Sequence, residues 1–185
     1  MRYACDHSNE RAVDEVLSDG HDINALYLGT TLLSRAINNQ NTTLVRYLLR
    51  NGADVNQTTN GMSPIHKCIL QNNAEILQIL ITFGKNVDVN QTVANGNSPL
   101  HLAIEKHSID LVEILLKHGA DTTLKNRQGD TALHLSAKVS FTEIFRMLIE
   151  HGANVSLVNC EGKTALDIAG QQKGFEGNNF VQWLT

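Results

Sequence analysis

The chain of 185 residues is 42% hydrophobic and 18% charged, a composition typical of a folded chain and unlike that of a disordered one. Its net charge of −4 argues against nucleic acid as the main partner, and no apolar run approaches the ~18 residues of a membrane-spanning helix. The three cysteines are odd in number, far apart and in no CxxC pair, so we expect reduced thiols and a location in the cytoplasm or the nucleus.

Residues 1–28 carry the whole of the net charge, because they hold six acids and two bases while the remaining residues hold 13 of each. Within them, Gly20 takes the place of a repeat's closing glycine, Val16 and Leu17 that of the aliphatic pair before it, and Ala4 that of the small residue. The same spacing recurs further along the chain. It predicts a first, truncated repeat over residues 1–28.

From residue 29 onwards five residue classes recur in phase. Glycines stand at 29, 61, 96, 129 and 162, at intervals of 32, 35, 33 and 33 residues. Each is followed by Ser or Thr after two positions, an aliphatic residue after four and a small residue after seven, and each of the first four by a second glycine after 23. The predicted repeats are 29–60, 61–95, 96–128 and 129–161, with an incomplete one at 162–185 in which Phe180, Trp183 and Leu184 are expected to cover the end of the core.

Each repeat predicts two short helices. The Ser or Thr is a good N-cap, and Pro64 and Pro99 follow it at the first helical position, where the missing N–H costs nothing. The second helix has an aliphatic stripe and ends at a glycine suited to a left-handed C-cap. Neither helix is long enough to be stable alone, so neighbouring repeats must bury each other's apolar faces.

The segments "GNSPLHLAIEKHSIDLVEILLKHGAD" (96–121) and "GDTALHLSAKVSFTEIFRMLIEHGAN" (129–154) closely resemble the ankyrin repeat, with its 33-residue period and T-P-L-H-x-A core. The resemblance implies an all-α ankyrin-repeat solenoid of about six repeats, the terminal ones atypical, in a single domain over residues 1–185. It also implies a β-hairpin finger after each second glycine, at right angles to the helices, and a concave groove lined by fingers and first helices. Members of the family bind other proteins and generally have no catalytic activity.

The sequence departs from the family pattern in two places, and each departure predicts a local difference in structure. The turn between the helices often has a glycine in the family, but here it has Gln40, Asn72, His107 and Ser140, so we expect less well-formed turns. The segment 85–95 has about two more residues than its counterparts, which predicts a locally distorted finger.

His66, His101 and His134 occupy the same position in successive repeats, so each is either a base or metal ligand or a residue that stabilises the fold. Stacked helices lie about 8–10 Å apart, whereas zinc requires its nitrogen ligands at about 2 Å. Hydrogen bonding to free backbone groups at the start of the first helix is the better explanation. We therefore predict no catalytic residue, no metal site and no cofactor.

The positions that the repeat does not dictate are the candidates for partner contact. They lie on the fingers and on the expected inner face of each first helix, and some of them are apolar where the fold does not require it. The predicted contact residues are Asn38, Asn39, Thr59, Asn60, Met62, Leu70, Gln71, Val93, Asn95, Asn97, Glu105, Lys106, Arg127, Gln128, Asp130, Lys138 and Val139.

The resulting hypothesis is a non-catalytic protein–protein interaction module that binds another protein along the concave face, without nucleic acid, membrane insertion or a small-molecule substrate. An alternative is the targeting or regulatory ankyrin segment of a larger enzyme, channel or ubiquitin-ligase adaptor, suggested by the abrupt start and the unfinished sixth repeat. A hydrolase or metal enzyme is a third hypothesis, which no sequence motif supports.

Overall fold

The computed structural model describes residues 10–172, so the predicted end residues Ala4, Phe180, Trp183 and Leu184 lie outside the described part of the chain. Two compact units are present, one ending at Asp88 and one beginning at Val89. The described residues form these helices in chain order: α1 Glu10–Ser18, α2 Leu32–Asn38, α3 Thr42–Arg50, α4 Pro64–Leu70, α5 Ala74–Phe83, α6 Pro99–Glu105, α7 Ile109–Lys117, α8 Ala132–Lys138, α9 Thr142–Glu150 and α10 Ala165–Ala169.

The first helix of each repeat begins at the predicted hydroxyl residue. Thr31, Ser63, Ser98, Thr131 and Thr164 are the N-caps of α2, α4, α6, α8 and α10, all in extended backbone conformation. These helices span only five to seven residues, so the caps satisfy a large share of the backbone groups that a short helix leaves unpaired.

The second helices α3, α5, α7 and α9 supply the larger part of the core. Leu48 in α3, Leu80 in α5, Leu115 in α7 and Leu148 in α9 are completely buried. Burying one such side chain contributes about 1.5–3 kcal/mol, which compensates for the instability of nine- or ten-residue helices in isolation. In the first unit α3 packs on α2 and α5, and in the second unit α9 packs on α7 and α8.

The turns between the paired helices are well formed, contrary to the expectation from their sequence. The backbone N–H of Asn41 donates to Ala36 O at 2.9 Å, that of Asn73 to Cys68 O at 2.9 Å, and that of Phe141 to Ser136 O at 3.0 Å. The residues in place of glycine, Gln40, Asn72, His107 and Ser140, adopt left-handed φ angles of 53° to 56°. The hydrogen bonds and the helix packing therefore outweigh a conformational cost of about 1–2 kcal/mol per residue.

The insertion after Gly84 affects the end of α5 and not the finger. Gly84 has φ −71°, unlike the left-handed Gly52, Gly119 and Gly152 at the other helix ends, and the left-handed residue here is Asn86 at φ 52°. The two extra residues thus extend the chain before the finger begins. Beyond them the backbone N–H of Val93 donates to Asn97 O at 3.0 Å, so the predicted distortion of the finger is wrong in its location.

The fingers are tight turns closed by isolated bridges or by single backbone hydrogen bonds, and no extended strand occurs within residues 10–172. The tips at Leu28–Gly29 and Asn60–Gly61 are two-residue turns with both φ angles positive, the type I′ geometry. Three-residue tips ending at Gly96, Gly129 and Gly162 follow in the second unit. The fingers therefore have two geometries, one in each unit.

Candidate functional site

Two fingertips and two first helices of the unit ending at Asp88 surround an open depression of about 540 Å³. The fingertips are those closed by the Tyr27–Thr30 and Thr59–Met62 bridges, and the helices are α2 and α4. We call this surface the finger–helix depression. Its lining residues are Leu28, Thr30, Arg35, Asn38, Asn39, Thr59, Asn60, Met62, Lys67, Leu70 and Gln71.

Seven of the residues predicted from the sequence meet in this depression. They are Asn38, Asn39, Thr59, Asn60, Met62, Leu70 and Gln71. Met62 and Leu70 are 36% and 38% exposed, and with the amides they form one mixed apolar and polar surface. Thr59 is buried, and its hydroxyl accepts a hydrogen bond from Lys67 Nζ and lies 3.1 Å from Ser34 Oγ, so it stabilises the finger base. The binding role of the exposed members stays a prediction.

Leu28 is a residue of this depression that the sequence reading missed. Its side chain is 82% exposed, Leu26 on the same finger is 57% exposed, and the backbone of Leu28 is left-handed at φ 53°. Leucine is unfavourable in that conformation, whereas Asn60 occupies the same place in the next finger at φ 54°. Leu28 precedes Gly29 as Asn60 precedes Gly61, and comparing those two positions in the sequence would have identified it.

The charged residues among those lining the depression are Arg35 and Lys67, both basic. The sequence analysis missed both residues. Arg35 and Lys67 each stand six residues after the first glycine of their repeat, and the same position in the second unit is occupied by Leu102 and Leu135. Lys67 is half-buried and donates to the neutral hydroxyl of Thr59. Burial lowers the pKa of Lys67 from its ordinary value of 10.5, because the partly desolvated ammonium is less stable in its charged form.

Two polar atoms of the depression have no hydrogen-bond partner within the described part of the chain. These are Thr30 Oγ1 and Gln71 Oε1, both covered by protein atoms, while Gln71 Nε2 donates to Asn38 Oδ1 at 3.5 Å. An unpaired buried polar atom costs about 1–3 kcal/mol, and buried polar atoms are paired in most proteins.

The predicted contact residues of the second unit divide into exposed and buried sets. Asn95, Glu105, Lys106, Arg127, Gln128 and Lys138 are exposed, Val93 and Val139 are half-buried, and Asn97 and Asp130 are buried.

A hydrogen-bond network explains the burial of Asn97 and Asp130. Asn126 Nδ2 donates to Asn97 Oδ1 at 3.2 Å, Asn159 Nδ2 donates to Asp130 Oδ1 at 2.9 Å, and Lys138 Nζ lies 2.5 Å from Asp130 Oδ2. These contacts assign Asn97 and Asp130 to the scaffold that holds successive fingers together. Burial leaves them little surface for a partner, and we keep the binding prediction for the exposed residues.

His101 and His134 make the hydrogen bonds to backbone groups that were predicted for the histidines of the first helices. Ser98 N–H and Oγ lie 3.2 and 2.7 Å from His101 Nδ1, and His101 Nε2 lies 3.0 Å from Asp130 O. Because the backbone N–H can only donate, Nδ1 accepts and the neutral ring donates through Nε2. His134 makes the same pair of contacts with Thr131 and Lys163 O.

Among residues 10–172 no group of three or more His, Cys, Asp or Glu side chains is placed to hold a metal ion. None of the described helices combines the length and the apolar content needed to cross a membrane.

The comparisons with known proteins agree with this architecture. A family model described as ankyrin repeats, in three copies, matches residues 1–92, 33–126 and 118–185, which together span the chain. The chain belongs to the ankyrin repeat family, whose fold is generally used for protein–protein interaction and whose members are generally non-catalytic. The predicted family and the all-α repeat fold are thereby confirmed.

One similar solved structure is the crystal structure of EF0377, described as an ankyrin repeat protein. It matches with a TM-score of 0.83 and 28% sequence identity, over 98% of this chain and 94% of that one. The search of curated proteins found no match.

Proposed function

We propose that the protein is a non-catalytic interaction module that binds another protein through its fingertips and the exposed faces of its first helices. The finger–helix depression is the observation that supports this proposal. It places exposed apolar side chains, Leu28, Met62 and Leu70, beside exposed amides in one open surface. Interfaces have this composition, with an apolar centre and a polar surround.

The packing of the repeats supports the same proposal. The aliphatic residues that recur in each repeat are buried in the core. The exposed residues of the depression lie at positions whose residue type the repeat does not determine. A rigid scaffold of this kind binds with little loss of conformational entropy, which favours affinity from a few anchors.

The experiment that tests the proposal compares variants on two faces of the same unit. The intact chain captures partners from a cell lysate, mass spectrometry identifies one, and the partner is purified. Met62→Glu and Leu70→Glu are expected to weaken its binding at least tenfold, because each places a charge among apolar contacts. Gln78→Glu, at an exposed position of α5 outside the depression, is the matched control and is expected to bind normally.

Thermal unfolding establishes that all three variants remain folded. If the purified partner binds the Met62 and Leu70 variants as tightly as the original chain, this surface is not the binding surface and the proposal fails.

A further inference from the structure

We propose that the finger–helix depression binds an extended segment of a partner protein in which an acidic side chain neighbours an aliphatic one. This inference rests on the proposed function and specifies the chemistry of the partner. Four features of the depression lead to it: its charge, its apolar rim, its unpaired polar atoms and its contrast with the second unit.

The charge of the depression selects an anion. Among residues 10–172, its lining includes Arg35 and Lys67 and no acidic residue. Within the described residues Lys67 forms no ion pair, and its ammonium donates to the hydroxyl of Thr59. A carboxylate that replaced or joined this hydroxyl would form a charge-assisted hydrogen bond, which is roughly twice as strong as one between neutral groups.

The second unit provides an internal comparison. There Lys138, at the end of the first helix α8, forms an ion pair with the buried carboxylate of Asp130, with 2.5 Å between Lys138 Nζ and Asp130 Oδ2. At the repeat position of Arg35 and Lys67 the second unit has Leu102 and Leu135. A cation at this repeat position is therefore found in the unit ending at Asp88 and not in the second unit, and we assign the acidic preference to Lys67 of that unit.

The apolar rim selects an aliphatic neighbour for the acid. Leu28 stands at the tip of one finger, Met62 follows the tip of the next, and Leu70 ends α4. All three are exposed and line one depression, so an aliphatic side chain of the partner can remove apolar surface from water on both sides. The net charge of −4 of the chain opposes a polyanion such as a nucleic acid more strongly than a peptide with a single acidic side chain.

The unpaired polar atoms favour an extended backbone. Gln71 Oε1 requires a donor, and the Thr30 hydroxyl can donate to an acceptor. An extended peptide carries N–H and C=O groups in alternation, so rotation of either side chain out of its covered position lets it pair with the partner. The cost of leaving these atoms unpaired is then recovered in the complex.

The test uses a display library of random twelve-residue peptides, selected against the intact chain. The expected result is enrichment of Asp or Glu next to Leu, Ile, Val or Met. A synthetic peptide of the selected sequence is then titrated against variants. Lys67→Leu, which installs the residue of the second unit, is expected to weaken it about tenfold. Leu28→Asn, which installs the residue of the next fingertip, is expected to weaken it several-fold.

Lys117→Met is the control, because Lys117 is an exposed cation at the end of α7 in the second unit and pairs with Glu113. It is expected to leave binding unchanged. Unfolding measurements on each variant separate lost contacts from lost structure.

The outcomes distinguish the two proposals. Peptides that respond to Leu28→Asn but carry no acid, and ignore Lys67→Leu, overturn the acidic preference and leave the proposed function standing. Peptides that ignore both substitutions, or the recovery of none, overturn this inference, while the binding of the purified partner to the Met62 and Leu70 variants decides the proposed function. Binding of a single-stranded oligonucleotide that depends on Lys67, without any acidic peptide, overturns this inference in favour of a polyanion.

Discussion

At the scale of single residues, Leu28 combines two unfavourable properties. An apolar side chain that is 82% exposed gains nothing from the core, and a left-handed backbone at φ 53° costs a leucine about 1–2 kcal/mol. Neither property stabilises the folded chain. Conformational strain of this kind concentrates where a protein makes contact with something else, which is consistent with a position at the rim of the finger–helix depression.

Replacing Leu28 with Asn is therefore expected to raise the free energy of unfolding by about 1 kcal/mol, because asparagine tolerates the left-handed conformation. Urea unfolding followed by circular dichroism measures the change. The reciprocal substitution Asn60→Leu, at φ 54° in the next fingertip, is the matched control and is expected to lower the free energy of unfolding by a similar amount. A loss of stability in Leu28→Asn would show that the leucine makes contacts that favour the fold.

At the scale of the helix, the end of α5 shows how an insertion is accommodated. Gly84 keeps a φ of −71°, which any residue can adopt, so its absence of a side chain serves packing and not conformation. A Cβ at this position would collide with Leu80 O and would lie 2.9 Å from Val87 Cγ2 and 3.1 Å from Val55 Cγ2. The glycine allows the lengthened helix end to pack closely against the start of the finger.

Gly84→Ala is expected to lower the free energy of unfolding by about 1–3 kcal/mol, as overpacking does. Gly170→Ala provides a control with a similar φ of −62°, where a new Cβ would lie at an ordinary contact distance of 3.5 Å from Leu166 O. That control is expected to be neutral or slightly stabilising. Equal effects of the two substitutions in chemical denaturation would contradict the packing explanation.

The sequence predicted the helices well because their signals are local. The hydroxyl caps fix where α2, α4, α6, α8 and α10 begin, and the aliphatic stripes fix which face of α3, α5, α7 and α9 is buried. Both signals depend on neighbours three or four positions away. The inter-helix turns were misjudged at Gln40 and Ser140, because the energy that holds them left-handed comes from packing between helices, which no local rule contains. For the same reason the sequence predicts Asn97 and Asp130 as contact residues, whereas the structure holds both in buried positions with hydrogen bonds to the neighbouring finger.

At the scale of the whole molecule, buried neutral groups make stability depend on pH. Burial lowers the pKa of His101 and of His134 from 6.5. The charge of Asp130 and a hydrogen bond to a backbone carbonyl oxygen, of Asp130 for His101 and of Lys163 for His134, raise both pKa values in part. The charges of Lys125 and Lys138 lower the pKa of His134 further. Hydrogen bonds from Thr164 lower the pKa of the exposed Asp167 from 3.8. Burial raises the pKa of the Cys68 thiol from 9.0.

These directions define where stability is lost. Between the folded and unfolded pKa values of the two histidines the unfolded chain binds more protons, so the free energy of unfolding falls as the pH drops below about 6.5. The Asp167 contribution is present above about pH 3.8 and is lost below it, while that of Cys68 is lost as the pH rises above about 9. We expect stability to decline on the acid side of pH 7, and urea midpoints at pH 7.5, 6.5, 5.5 and 5.0 measure this decline. His101→Gln combined with His134→Gln is expected to lower the midpoint at pH 7.5 but to flatten the decline towards pH 5. An unchanged slope in that double variant would assign the acid sensitivity to other groups, since removal of the two imidazoles removes the proton uptake that drives it.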